Sequence, residues 1–243
     1  MDQLLIALDV ESSAKALALA DTLRGIAGGF KIGSRLFTSE GPDIVRALTS
    51  RGDRVFLDLK FHDIPNTVAQ ATAAATSLGV WMLNVHAAGG ARMMEAARGA
   101  AQETAAKEGR TPPLVIAVTV LTSMNQAMLL ESGVQEPVLD QVLRLADLAQ
   151  NAGLDGVVAS PQETSLIRAR CRADFAIVTP GIRGGQATTA GKDDQERTMS
   201  PAEALAAGSR YIVVGRPIIA APDPRMAAES IAREILASGV SKT

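Results

Sequence analysis

Residues 56–68 read FLDLKFHDIPNTV. The stretch opens as an apolar strand and then places Asp58, Lys60 and Asp63 within a few residues of one another. Side chains alternate along a strand, so Asp58 and Lys60 share one side, with Val55, Leu57 and Leu59 on the other. The apolar set can pack against helices while the charged pair points into the mouth of a barrel. Asp63 lies just past the strand, and Pro65 is tolerated in the first turn of a following helix. The stretch therefore has the form of a β–α unit with charge at the strand's C-terminal end.

The unit recurs along the chain. Candidate strands are 4–10, 28–33, 54–60, 82–87, 114–121, 156–160, 176–181 and 211–217. Ala- and Leu-rich segments of helical periodicity separate them, such as 12–26 with Ala16, Leu19, Ala20 and Leu23 on one face. Regular strand–helix alternation implies parallel strands joined by helical crossovers. Eight units in a chain of 243 residues predict an α/β fold, a (β/α)₈ TIM barrel, whose usual size is about 250 residues. The alternative is a doubly wound open sheet, which usually has fewer strands and a Gly-rich first turn, absent here. No Pro- or Ser-rich linker interrupts the chain, so residues 1–243 are expected to form a single barrel domain.

Composition narrows the function. The chain is 47% hydrophobic, enough for a sizeable core, and its 26 acidic and 24 basic residues nearly balance. Without a basic run, binding to a nucleic-acid backbone is disfavoured. A single cysteine, Cys171, excludes an internal disulfide and fits a reducing compartment as a buried thiol. The N-terminal MDQLLIALDV lacks the layout of a signal peptide, and no apolar run approaches the roughly 20 residues that span a bilayer. A cytoplasmic protein with no membrane partner is the expectation.

Polar residues enter the strands at one end. Asp9, Lys31, Asp58, Lys60 and His86 all fall near C-terminal strand ends, the face that carries active sites in barrels. A lone exposed ion pair contributes only about 0–1 kcal/mol. Here the pair interrupts an apolar strand, and Lys31 and Asp63 can converge on the same mouth. At about 4 Å and an effective dielectric near 20, opposite charges interact by roughly 4 kcal/mol, enough to hold a lysine protonated and in place. Asp58 and Lys60 are accordingly the catalytic candidates. His62 and His86 belong to no metal-ligand motif and are expected to be hydrogen-bonded structural residues. Neither a G-x-S-x-G elbow nor a partner for Cys171 offers a nucleophile. After the seventh and eighth strands, GIRGG (181–185) and VVGRPI (213–218) join glycines to Arg183 and Arg216. Backbone N–H groups and guanidinium forks suit a phosphate at that place in a barrel. Thr122 and Ser123, in VLTSM, can hydrogen-bond a polar ring.

These residues together resemble the bacterial-type orotidine 5′-phosphate decarboxylase family. The opening stretch matches its D-x-K-x-x-D-I-P-x-T pattern at Asp58, Lys60, Asp63, Ile64, Pro65 and Thr67. ALD ending at Asp9, FKIG around Lys31, VHA around His86, LTS (121–123), PGIR (180–183), DQER (194–197) and VVGRPI follow in family order over nearly the whole chain. The resemblance implies decarboxylation of orotidine 5′-monophosphate to uridine 5′-monophosphate, the last step of de novo pyrimidine nucleotide synthesis, with no cofactor and no metal. It implies that Asp9 and Lys31 bind the ribose hydroxyls, that Lys31 also joins the charge array, and that Asp58 lies beside the substrate carboxylate. Lys60 protonates the carbon that loses carbon dioxide, and Thr122 and Ser123 hold the pyrimidine. Gln195 bridges ring and phosphate, while Arg183, Gly215 and Arg216 bind the phosphate; Ile64 and Pro180 join the substrate-binding set through their motifs. Asp63 and Thr67 serve the neighbouring subunit's site, which implies a homodimer. Two other readings stand beside this one. A magnesium-dependent sugar-phosphate decarboxylase or aldolase of the same superfamily shares the D-x-K-x-x-D core but resembles its own kind in having an acid where this chain has Lys31. A barrel that binds a phosphate ligand without turnover is the non-enzymatic alternative.

Overall fold

The computed structural model describes residues 1–182 and 199–238. Eight strands occur in chain order: β1 (Leu4–Ala7), β2 (Gly29–Gly33), β3 (Val55–Phe61), β4 (Met82–His86), β5 (Leu114–Val118), β6 (Gly156–Val158), β7 (Ala176–Thr179) and β8 (Tyr211–Val214). Each pairs in parallel with the next and β8 pairs with β1, so the sheet closes into a barrel. This is the TIM barrel expected from the alternation.

The strands bury residues on both faces, which explains their near-continuous apolar sequences. Leu4 and Ile6 of β1 and Val55 and Leu57 of β3 pack outward against helix positions such as Ala16, Ala20 and Leu23. Those three recur at helical spacing in the helix Ser13–Leu23, which starts where the Ser12 hydroxyl accepts the Lys15 N–H. The complementary parity faces the barrel axis, where Leu5, Ala7, Phe56, Met82, Ile116 and Tyr211 form a second cluster. Trp81 meets Tyr211 edge to face with ring centroids 5.1 Å apart, and the Arg54 guanidinium lies over the Trp81 ring. This aromatic contact lies by the N-terminal ends of β4 and β8, opposite the charged end.

Continuing the inward parity upward from the apolar layer gives Asp9 after β1, Lys31 on β2, Asp58 and Lys60 on β3, and Asn84 and His86 on β4. The register agrees, with Lys31 beside Phe56 and Gly33 beside Asp58. Several strands end earlier than the apolar runs suggested. Leu8 and Val10 stay buried beyond the end of β1, and the Leu8 N–H still donates to the Lys31 carbonyl of β2 at 3.0 Å. The helix Pro65–Ser77 begins at Pro65, as the turn chemistry predicted.

Candidate active site

β3 departs from simple alternation at the residues that matter most. Phe56 pairs with Met82 and Leu57 with Leu83, but the next pairing is Phe61 with Val85. Four residues of β3 thus advance against two of β4, and the excess is taken up at Asp58, Leu59 and Lys60. Lys60 is the one non-glycine among the described residues with positive φ, at 55°. Such a left-handed residue costs on the order of 1–2 kcal/mol, and strain of this kind concentrates at functional sites. A flat alternating strand was expected; the bulged one still brings Asp58 and Lys60 to the same side.

Four charged side chains form an alternating line across the mouth. Lys31 Nζ lies 3.1 Å from Asp9 Oδ1 and 3.4 Å from Asp58 Oδ2. Lys60 Nζ donates to Asp58 Oδ1 at 2.6 Å. The sequence Asp9–Lys31–Asp58–Lys60 is therefore acid, base, acid, base. The inner members are nearly dry, Lys31 at 11% and Asp58 at 14% side-chain exposure, whereas Asp9 is 53% exposed. Burial by itself pushes the Asp58 carboxyl upward. Lys31 and Lys60, together with hydrogen bonds from Lys60 and Asn84, outweigh that and hold it below the ordinary 3.8. Asp58 is thus an anion at neutral pH, locked between two ammonium groups.

Asn84 was not among the residues anticipated. It is buried, donates Nδ2 to Asp58 Oδ1 at 2.7 Å and accepts the Lys60 backbone N–H at 2.8 Å. A signal existed: in MLNVHA, an amide interrupts an apolar strand on the same parity as His86. The two histidines meet each other, with ring centroids 5.3 Å apart, and among the described residues neither makes the side-chain hydrogen bond expected of it. Burial first, then His62 and Lys60, push the His86 pKa below 6.5, so His86 is neutral at neutral pH.

Gly33 has a steric role. A Cβ there would stand 3.1 Å from Lys31 Nζ and 3.3 Å from Asp9 Oδ1, inside ordinary contact distance for both partners of one ion pair. We expect Gly33→Ala to displace the Lys31 ammonium and lower kcat/KM by roughly tenfold, a loss of about 1.4 kcal/mol, with the melting temperature little changed. Steady-state kinetics and a thermal melt check this.

The remaining predicted residues are distributed around the same end of the barrel. Gly215 follows β8 beside β1, where an added Cβ would lie 3.4 Å from the Ala7 Cβ and 3.7 Å from Asp9 Oδ2. Arg216 is exposed at the start of the short helix Arg216–Ile219. Pro180 is half-buried after β7. Thr122 is half-buried and Ser123 exposed, in a turn closed by the Met124 N–H on the Leu121 carbonyl at 2.8 Å. Asp63, Ile64 and Thr67 are all exposed, and the Asp63 carboxylate accepts the N–H of Ile64 at 2.6 Å. The structure does not bring these three into the Asp9–Lys60 line within one chain. Arg183 and Gln195 lie outside the described residues.

Residues 2–231 match the model of the "Orotidine 5′-phosphate decarboxylase / HUMPS family". The chain belongs to that family. It is 55% identical over 236 residues to a protein of Syntrophotalea carbinolica named orotidine 5′-phosphate decarboxylase, covering 97% of this chain and 96% of that one. A Moorella thermoacetica protein of the same name is 54% identical over 237 residues, covering 96% and 92% respectively. Among solved structures, orotidine 5′-phosphate decarboxylase from Lactobacillus acidophilus superposes with a TM-score of 0.85 at 36% identity, over 97% of this chain and 99% of that one. Family membership extends over the whole barrel, so every strand end that supplies the charged line lies within the match. No helix among the described residues is long and apolar enough to cross a membrane.

Proposed function

We propose that this chain decarboxylates orotidine 5′-monophosphate to uridine 5′-monophosphate as a single-domain, cytoplasmic enzyme, using its own side chains alone. The observation that carries the reading is the Asp9–Lys31–Asp58–Lys60 line at the barrel mouth, with Lys60 Nζ 2.6 Å from Asp58. Breaking the bond between the pyrimidine ring and its carboxylate releases carbon dioxide and leaves the electron pair on the ring carbon. That pair lies in the ring plane, where the π system delocalises it poorly. A fixed ammonium stabilises it electrostatically as it develops. The same ammonium then donates its proton to the carbon, completing the C–H bond, and Lys60 regains a proton from solvent. Asp58 holds Lys60 in place and stands beside the departing carboxylate. Lys31 fills the space between Asp9 and Asp58, so the cation paired with those carboxylates belongs to the chain itself.

The family pattern assigns the other parts of the substrate in this reading. Asp9 and Lys31 take the ribose hydroxyls; Thr122, Ser123 and Pro180 border the pyrimidine. Gly215 and Arg216, with Arg183 and Gln195, take the phosphate end. Phosphate contacts far from the reacting carbon contribute binding energy that is expressed in the transition state. Run in deuterium oxide, the reaction is expected to give uridine monophosphate with one deuterium on the carbon that carried the carboxylate. Unlabelled product contradicts solvent-exchangeable Lys60 as the proton source.

The same reading makes the active form a homodimer in which Asp63 and Thr67 complete the partner's site. In support, residues 62–67 are exposed in one chain, and Ile64, a large apolar side chain, is 66% exposed among them. Mixing inactive Asp58→Ala with inactive Asp63→Asn protein is expected to restore activity, because a hybrid dimer holds one intact site in two. At equal mixing half the dimers are hybrids, so recovery approaches about one quarter of wild-type activity. No recovery despite demonstrated subunit exchange places Asp63 in its own chain's site.

A further inference from the structure

Asp58 and Lys60 hold their geometry in a stretch where sheet pairing is interrupted. Between the Leu57–Leu83 and Phe61–Val85 pairings, the β3 backbone has slipped out of register with β4. At that gap the Asn84 side chain takes over the bonding of the missing strand partner. Its Oδ1 accepts the N–H of Lys60, the residue with left-handed φ, while its Nδ2 donates to the Asp58 oxygen that also receives Lys60 Nζ. Asn84 is 1% exposed, so water is no substitute for either bond, and a buried carboxylate that loses a donor is strongly disfavoured. The amide supplies an acceptor and a donor from one planar group at any pH; leucine or valine supplies neither, and an ionised carboxylate only the acceptor.

We propose that Asn84 is a positioning residue of the decarboxylation site, fixing the Lys60 backbone with its carbonyl and the Asp58 carboxylate with its amide. The proposal rests on the reaction assigned above. The two bonds have separable consequences. The carbonyl bond is structural in kind, and any acceptor of the same shape preserves it. The amide bond acts on the reacting array, and its loss frees Asp58 to rotate away from Lys60.

The test compares kcat and KM on orotidine 5′-monophosphate for wild type, Asn84→Ala and Asn84→Asp, from about pH 5.5 to about pH 9, with circular dichroism on each. Ionisable groups facing this corner are Asp58 and Lys60 on β3, Lys31 on β2 with Asp9 beyond it, and His86 on β4 with His62 against it. Asn84→Ala is expected to lose roughly ten- to a hundredfold in kcat, the size seen when a supporting hydrogen bond to a reacting group is removed, with KM changed less than about threefold. Asn84→Asp keeps the acceptor for the Lys60 N–H but sets a second carboxylate against Asp58. The like charge raises the pKa of one of the pair, so a shared proton restores the donor at low pH and is lost as the pH rises. Activity of Asn84→Asp is therefore expected to fall with rising pH, a limb absent from wild type. Asn84→Asp with wild-type kcat and a wild-type pH profile overturns the proposal, whether or not Asn84→Ala folds. A wild-type chain without turnover overturns the assigned reaction itself, a result distinct from an active wild type with an equally active Asn84→Asp.

Discussion

Replacing Lys60 by alanine lowers kcat for orotidine 5′-monophosphate by at least about 10⁴-fold and leaves a folded protein. General acid catalysis alone accounts for about 10²–10⁴, and loss of one preorganised electrostatic donor for about 10²–10³. In the proposed reading Lys60 serves in both capacities, and the bound is the product of the two lower limits, about 10² each. Both act on charge that appears only in the transition state; kcat and kcat/KM therefore fall together while KM changes little. The fold survives because Asp58 retains Lys31 and Asn84 as partners. Lys60→Gly sharpens the point. Glycine accepts a φ of 55° without the strain of about 1–2 kcal/mol that other residues carry, so this variant melts above Lys60→Ala and is equally inactive. Near-normal turnover by either folded variant removes Lys60 from the chemistry.

Replacing Asp58 by asparagine keeps the shape and removes the charge, and kcat is expected to fall about 10³-fold. The cause is positional as well as electrostatic. Lys31 and Lys60 both point at the Asp58 carboxylate, and without it two ammonium groups share one mouth, Lys31 held only by Asp9 and Lys60 without its carboxylate partner. The substrate carboxylate meets less repulsion in the variant, so KM does not rise with the loss of kcat. A stability signature accompanies this. The carboxyl of Asp58 is held below 3.8 in the folded chain, so wild type gains stability that is fully present above that value and lost as the pH falls through the lower folded one. Asp58→Asn lacks this contribution, and its acid denaturation is shallower below about pH 4. A variant retaining kcat within about tenfold, or denaturing in acid as wild type does, contradicts the place given to Asp58.

Much of this site was legible in the chain because charge inside an apolar strand has few physical explanations. Asp58 and Lys60 stood out against Val55, Leu57 and Leu59, and parallel topology required strand ends to share one face. Lys31 was legible for the same reason. The left-handed backbone at Lys60 was not, since alternation assumes a regular strand and the slip lies in how β3 pairs with β4, residues 24 and more apart in sequence. Asn84 was missed although its cue was present. An uncharged amide draws less notice than a neighbouring histidine, yet the histidine is turned against His62 and the amide joins the array. The first strand was overextended to Val10, which is buried beyond the end of β1. Asp63 and Thr67 were recognised from their motif, and both are exposed in the single chain.

The most direct test of the central claim is turnover of orotidine 5′-monophosphate by purified protein after exhaustive treatment with chelator, following loss of substrate, release of carbon dioxide and formation of uridine monophosphate. Equimolar carbon dioxide and uridine monophosphate, at a rate unchanged by the chelator and unaffected by added magnesium, is the predicted result. Absence of turnover, or turnover that returns only when a metal ion is restored, contradicts a reaction driven by Asp58 and Lys60 alone.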